Sequence, residues 1–295
     1  MRITVRVPAT AANLGPGFDC FGLALDLCNE VTLDTDAEPG VSWAGEGATE
    51  LPTDGSDMVS TTIARVGVRH GMEAPPIGVH GVNRIPLERG LGSSSAAAVA
   101  GVVLGSRLFD RSIDGPDSSP GPDTHSVFAL AAEIEGHPDN AAAAVFGGFT
   151  IAVPGGSLRR LDSHPGVRPV ALVPSDVRVA THEARAALTE FVSRDDAIFN
   201  AAHAAIMVHA ITREPSLLAE AMRDRLHQAA RLALVPEVEE VYNAVRDEGI
   251  AVCVSGSGPT LLAFETDGRE LPELGDGWSV LRVGVRATGF EVVDP

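Results

Sequence analysis

The chain has 295 residues, 44% of them hydrophobic, and sets 40 acidic side chains against 22 basic ones for a formal net charge of −18. That acidity argues against nucleic acid or an anionic membrane surface as a partner, while a local arginine pocket still suits a small anionic substrate. All 22 cationic side chains are arginine, so the absence of lysine excludes a Walker-type phosphate loop, a lysine Schiff base and a pyridoxal-phosphate enzyme together.

In chain order, Ile3-Val5-Val7 alternates as a first strand that is expected to stop at Pro8, followed by a turn-rich stretch from Ala9 to Gly17. A second strand centres on Val31-Leu33, a helix occupies 60–70, and Ile77-Val79-Val82 forms a strand leading into a glycine loop. Ser94 to Leu108 carries small or apolar residues on most faces and predicts a buried helix. Residues 112–124 hold no core-forming pattern and predict a surface loop. A helix follows over Val127–Glu135 and a strand over Phe146–Val153, and the Pro154-Gly155-Gly156 break suggests a domain boundary. The expected division is therefore 1–154 and 155–295. Beyond it come a strand at Val170–Val173, helices near 182–190, 196–212, 216–224 and 236–248, and two strands flanking Ser255–Pro259. No internal repeat is evident. Cys20, Cys28 and Cys253 lack metal-site or redox spacing and read as buried thiols. Without a signal-like start or an apolar run near ~20 residues, the expected setting is cytoplasmic, with no membrane partner.

Four segments carry the chemistry. In Arg89-Gly-Leu-Gly-Ser-Ser-Ser-Ala, glycines admit a ligand close to the backbone, and hydroxyls with the free N–H groups of a starting helix offer a phosphate site. The Rossmann pattern fails at Ser95, where a third glycine would stand. Pro8 to Gly22 sets Asn13 and Asp19 among small and aromatic neighbours, where they must find partners or bind something. Glu133 to Gly148 crowds His137, Asp139 and Asn140 into a short turn after a helix ending at Gly136, and Val252 to Phe264 holds a Ser-Gly-Ser-Gly-Pro turn between apolar runs. Each segment alone also fits a structural reading: a Ser-capped helix, an Asx turn, a tight turn. The four together are harder to explain that way.

Taken as a set, PATAANLGPGFD, GLGSSSAAA, EGHPDN and SGSGPT resemble the motifs of the GHMP small-molecule kinases, in the family's order and over nearly the whole chain. EGHPDN and THEAR (Thr181–Arg185) point to the homoserine kinase branch. The resemblance implies an α+β fold of two domains, an N-terminal ribosomal-protein-S5-like α/β domain and a ferredoxin-like C-terminal one, with the active site in the cleft between them. It implies ATP-dependent phosphorylation of the side-chain hydroxyl of L-homoserine, a step of threonine biosynthesis, with ATP and Mg²⁺ as cofactors; a homodimer is left open. By the same resemblance, Pro86, Gly90, Leu91, Gly92, Ser93, Ser94 and Ser95 surround the ATP phosphates, and Ser94 and Glu133 hold the metal, with Glu135 the second choice. Asn13 and Asp19 take the amino-acid end of the substrate, Arg185 and Arg231 its carboxylate, and His137, Asn140 and Thr181 the hydroxyl end. Asn140, with His137, is the expected catalytic group. Alone, Arg185 and Arg231 would read as a solvated helix face. Glu88 and Asp57 depart from the family pattern: Glu88 sets a carboxylate beside an anionic ligand, and Asp57 stands near the adenine site where relatives often have Asn.

Overall fold

The structure is a computed structural model and describes residues 1–109, 123–153, 155–266 and 268–293. Strands β1 (Arg2–Ala12) and β2 (Phe21–Asp34) form a long antiparallel pair from Arg2↔Asp34 to Ala12↔Gly22. The first strand does not stop at Pro8. The register shifts between Pro8 and Ala9, and this bulge absorbs the missing proline N–H so that pairing resumes at Ala9↔Leu25. β3 (Gly40–Gly45) runs parallel to β4 (Gly78–Asn83), and helix α1 (Met58–Arg69) makes the crossover between them.

Helix α2 (Ser93–Phe109) leaves the glycine loop and is buried along most of its length, as its composition requires. α3 (Thr124–Glu135) starts on Asp123, whose carboxylate accepts from Ser126 N–H, and ends on Gly136 in the left-handed region. Of the expected surface loop, 112–122 lie outside the described residues, while Asp123 and Thr124 already begin this helix. The polar turn after Gly136 is also more than a turn: α4 (Pro138–Phe146) starts on Pro138 at its first position and runs through four alanines. The following strand is therefore shorter than expected, β5 (Phe149–Ala152), and hairpins into β6 (Leu158–Leu161).

The Gly155-Gly156 break thus belongs to a hairpin turn, where Gly156 N–H donates to Val153 O, and it is not a domain boundary. The expected division 1–154 and 155–295 needs two corrections. β6 still pairs in the first sheet, and β11 (Glu291–Val293) returns to pair with β1. That sheet runs β11-β1-β2-β4-β3, with β5 on β2 and β6 on β5. A second, antiparallel sheet is ordered β10-β7-β9-β8, from β7 (Pro169–Pro174), β8 (Ala251–Val254), β9 (Leu261–Phe264) and β10 (Trp278–Arg282). Its helices are α5 (Thr181–Ala186), α6 (Arg194–Thr212), α7 (Leu218–Ala221), α8 (Gln228–Leu232) and α9 (Pro236–Asp247).

Strand alternation puts a core on each face of the second sheet. Ala171, Val173, Cys253, Leu262 and Phe264 join the large core that also holds Val5, Leu23 and Leu104. Val170, Leu172, Val252, Leu261 and Ala263 face a second core closed by Val238, Tyr242 and Val245 of α9. The two sheets therefore share apolar contents, and a deep cleft opens at the mouth of that shared core. Among the described residues, no helix is long and apolar enough to cross a membrane.

Candidate active site

The cleft encloses about 920 Å³, ample for a nucleotide and a small second substrate. One wall is the glycine loop. Gly90 and Gly92 have φ of 77° and 69°, in the left-handed region that glycine occupies without strain. A Cβ on Gly92 would stand 1.9 Å from the Thr10 hydroxyl and 3.3 Å from Asn140 Oδ1, so only glycine lets the loop approach both. β1 holds the loop through Thr10 N–H to Leu91 O at 3.0 Å. The Ser255–Pro259 turn clasps it from the other half, Ser255 donating to Gly90 O at 2.7 Å. The loop delivers Ser93, Ser94 and Ser95 to the first turn of α2, whose leading N–H groups have no intrahelical acceptors.

The carboxylate facing these hydroxyls is Glu135, which accepts from Ser94 Oγ at 2.7 Å and from Ser95 Oγ at 2.5 Å. Glu133, the expected metal ligand, lies elsewhere. Two residues back on α3 is about 200° around the helix, and its side chain pairs with Arg65 and Arg69 of α1 outside the cleft. Those arginines hold its carboxyl below the usual range. Glu135 and Ser94 form a hard-oxygen donor set that fits Mg²⁺ shared with phosphate oxygens. No cluster of three or more His, Cys, Asp or Glu suited to a metal occurs among the described residues.

Trp43, Leu51, Met58, Val59 and Pro86 add apolar lining to the same cavity. Asp57 borders it as the cap of α1, its Oδ1 accepting from Ser60 N–H. The Glu88 carboxylate does not face the phosphate site uncompensated: Arg178 lies 3.8 Å from it while pairing with Glu50 at 2.6 and 3.0 Å.

The opposite wall is built from side chains. Between β1 and β2 the chain coils so that Asn13 and Asp19 both take positive φ, 71° and 55°. The Asn13 amide knits this coil together, accepting from Asp19 N–H at 3.0 Å and donating to Gly256 O at 2.8 Å. Asp19 grips Arg185 of α5 at 2.8 and 3.0 Å. Arg231 of α8 is buried, with Nη1 donating to Gly256 O and to His227 Nδ1, while its Nε has no partner among the described residues. Burial brings its pKa down to about 10, so it stays charged. The Phe18 ring packs beneath both guanidinium groups, 5.8 Å from Arg185 and 5.3 Å from Arg231.

The two walls meet at the start of α4. Asn140 Oδ1 accepts from the Thr10 hydroxyl at 2.7 Å, and His137 and Thr181 border the same space. Asp139 is buried beside them, its carboxyl pushed up chiefly by that burial. Every residue expected at the site except Glu133 borders this one cavity. Sequence reasoning did not single out Phe18, His227 or Asp224. Phe18 could have been found as the ring preceding Asp19, and His227 as the group one helical turn before Arg231.

Comparison with known proteins agrees with this geometry. The family model for the GHMP kinases N terminal domain matches residues 57–148, and that for GHMP kinases C terminal matches 207–278. The chain is 41% identical over 312 residues to the homoserine kinase of Rhodococcus erythropolis, covering 99% of this chain and 96% of that protein. It is 42% identical over 271 residues to that of Clavibacter michiganensis, covering 90% and 83%. The crystal structure of homoserine kinase from Cytophaga hutchinsonii superposes with a TM-score of 0.82 at 27% identity, over 99% of this chain and 97% of that one. A mevalonate kinase shares the fold at 12% identity with a TM-score of 0.67, over 96% and 99%. Two-domain α+β architecture, motif order and full-length relatives converge: the chain belongs to the GHMP kinases, in the homoserine kinase family.

Proposed function

We propose that the protein transfers the γ-phosphoryl group of ATP to the side-chain hydroxyl of L-homoserine, forming O-phospho-L-homoserine. The observation that carries this reading is the placement of Asn140 between the walls. Its Oδ1 is 2.7 Å from Thr10 Oγ and 3.3 Å from the space a Gly92 side chain would take, so an alcohol seated at Asn140 abuts the phosphate loop.

A zwitterionic amino acid matches the other wall. Its ammonium suits Asp19, and its carboxylate suits Arg185 and Arg231, whose planar guanidinium groups match two oxygens. Asp19 and Arg185 neutralise each other, and the substrate's ammonium and carboxylate offer the same two charges as replacement partners. Asn140 orients the hydroxyl for in-line attack, and the leading N–H groups of α2 with Ser93 to Ser95 cradle the phosphates. Phosphoryl transfer depends mainly on positioning and charge neutralisation, so no strong base is required beside the hydroxyl. Ser94 and Glu135 would hold Mg²⁺, which when bound offsets charge developing on the transferred group. An ADP-release assay across L-homoserine, mevalonate, galactose and shikimate tests the reading. Homoserine should exceed the other three by at least about a hundredfold in kcat/KM, as a site built for a charged, hydrogen-bonding substrate requires. Comparable turnover of mevalonate would overturn it.

A further inference from the structure

We infer that His227 is a positioning residue for the substrate carboxylate, serving as a neutral acceptor that fixes the guanidinium plane of Arg231. The inference rests on the assignment of Arg231 to that carboxylate. His227 is completely buried, one turn before Arg231 at the start of α8. Its two ring nitrogens have different partners. Nε2 lies 2.7 Å from the carbonyl of Gly15, and Nδ1 lies 3.1 Å from Arg231 Nη1. A carbonyl only accepts and a guanidinium only donates. Both partners therefore demand the same tautomer, with the proton on Nε2 and a lone pair on Nδ1.

The surroundings keep it that way. Burial, working against the nearby Asp224 carboxylate, holds the imidazole pKa near 4, so the lone pair is available at any working pH. Asp224 lies too far to take the Nε2 proton, at 3.8 Å, and is occupied elsewhere. It accepts from the Asn200 side chain and from the backbone N–H groups of Leu226, His227 and Gln228, which fixes the start of α8. The Phe18 ring stacks on the imidazole at 5.3 Å with 28° between planes.

The consequence concerns geometry. His227 Nδ1 and Gly256 O both take hydrogens from Arg231 Nη1, which fixes the guanidinium plane where Arg231 lines the cleft. The same imidazole ties Arg231 to the 13–19 coil through Gly15, so the cation and the coil carrying Asp19 keep a fixed relation. A carboxylate arriving in the cleft then meets a fork already aimed, which is where pre-organisation gains affinity.

Two substitutions separate the two ring nitrogens. His227→Asn places an amide oxygen near the Nδ1 position and keeps an acceptor for Arg231. His227→Gln reaches the Nε2 position, can still donate to Gly15 O, and removes the side-chain acceptor of Arg231, leaving only Gly256 O on Nη1. The readout is discrimination, the kcat/KM for L-homoserine divided by that for L-homoserinol, in which the carboxylate is replaced by CH₂OH. This ratio cancels the concentration of active enzyme. His227→Gln should lower it roughly tenfold to a hundredfold, the worth of one hydrogen bond to a charged donor, through KM for homoserine and with KM for ATP unchanged. His227→Asn should stay within about threefold of the wild type, a residual change of under 1 kcal/mol. Arg231→Met is the control. If it leaves discrimination intact, the assignment of Arg231 fails. If it collapses discrimination while His227→Gln does not, or if Asn and Gln collapse it alike, the role of His227 is overturned. Should His227→Gln not fold, His227→Asn carries the test alone, and loss of discrimination in that variant refutes the inference.

Discussion

The two walls of the cleft solve the problem of binding charge in opposite ways. The phosphate wall uses backbone: two glycines in the left-handed region, the N-terminus of α2 and short hydroxyls, all within a single stretch from Gly90 to Ser95. The wall we propose for the amino acid uses side chains from distant parts of the chain, Asp19, Arg185 and Arg231, each held by a neighbour. Backbone amides cannot be mispaired, and they suit a donor whose phosphates are the same in every turnover. Side chains cost more ordering entropy but can be arranged to fit one particular zwitterion.

The sharpest way to break this contrast is at Glu135, the carboxylate that accepts from Ser94 and Ser95. Glu135→Gln should lower kcat by on the order of a hundredfold with KM for ATP little changed, because a metal ligand acts on charge that develops during transfer. Glu133→Gln should leave kcat within about twofold, since surface ion pairs of that kind contribute little. Steady-state kinetics of the two variants side by side decide the matter, and a reversed ranking would restore Glu133. On the other wall, Arg185→Leu should raise KM for homoserine about 30-fold or more while KM for ATP holds. The variant should also largely lose the preference for homoserine over homoserinol. Equal treatment of the two compounds by wild-type and variant enzymes would remove the carboxylate from the site.

The smallest effect lies where the walls meet. Burial raises the Asp139 carboxyl, so the folded protein holds that proton more tightly than the unfolded chain does. An ionised Asp139 therefore costs stability at neutral pH, and the cost fades as pH falls through the folded pKa toward the ordinary Asp value. Asp139→Asn should accordingly raise Tm at pH 7 by a few degrees, about 1 kcal/mol, and the gain should vanish near pH 4. An equal gain at both pH values would mean that ionisation is not its source.

The contrast between the walls also explains what could be read from sequence. The glycine loop is contiguous, so its role follows from local composition, as does the buried character of α2. Side-chain partners are not contiguous. Nothing near Glu133 or Glu135 tells which one faces Ser94; that depends on where α1 places Arg65 and Arg69. The coil from Asn13 to Asp19 was visible as a polar cluster, but its pairing with Arg185 spans 166 positions. Helix α4 is legible in the sequence: Pro138 at the first position, Asp139 in the first turn, the alanine run 141–144 and the stop at Gly147 are helix signals. β3, β6, β10 and β11 had little signal, being short strands with exposed or half-buried residues whose place is set by the neighbour they pair with. Pro8 misled for a physical reason, because a bulge can carry a strand past a proline.

The return of the chain to its first sheet has a mechanical consequence. After β10 the backbone laces back through Gly284, Arg286 and β11, with Arg286 N–H on Ala24 O and Gly148 N–H on Arg286 O. The chain thus crosses between the sheets twice, between Leu161 and Pro169 and again between Arg282 and Gly284. Two bodies joined at two points form a closed linkage. Because both sheets also share one apolar core, cutting one crossing releases neither body, and the whole molecule should come apart as one cooperative unit.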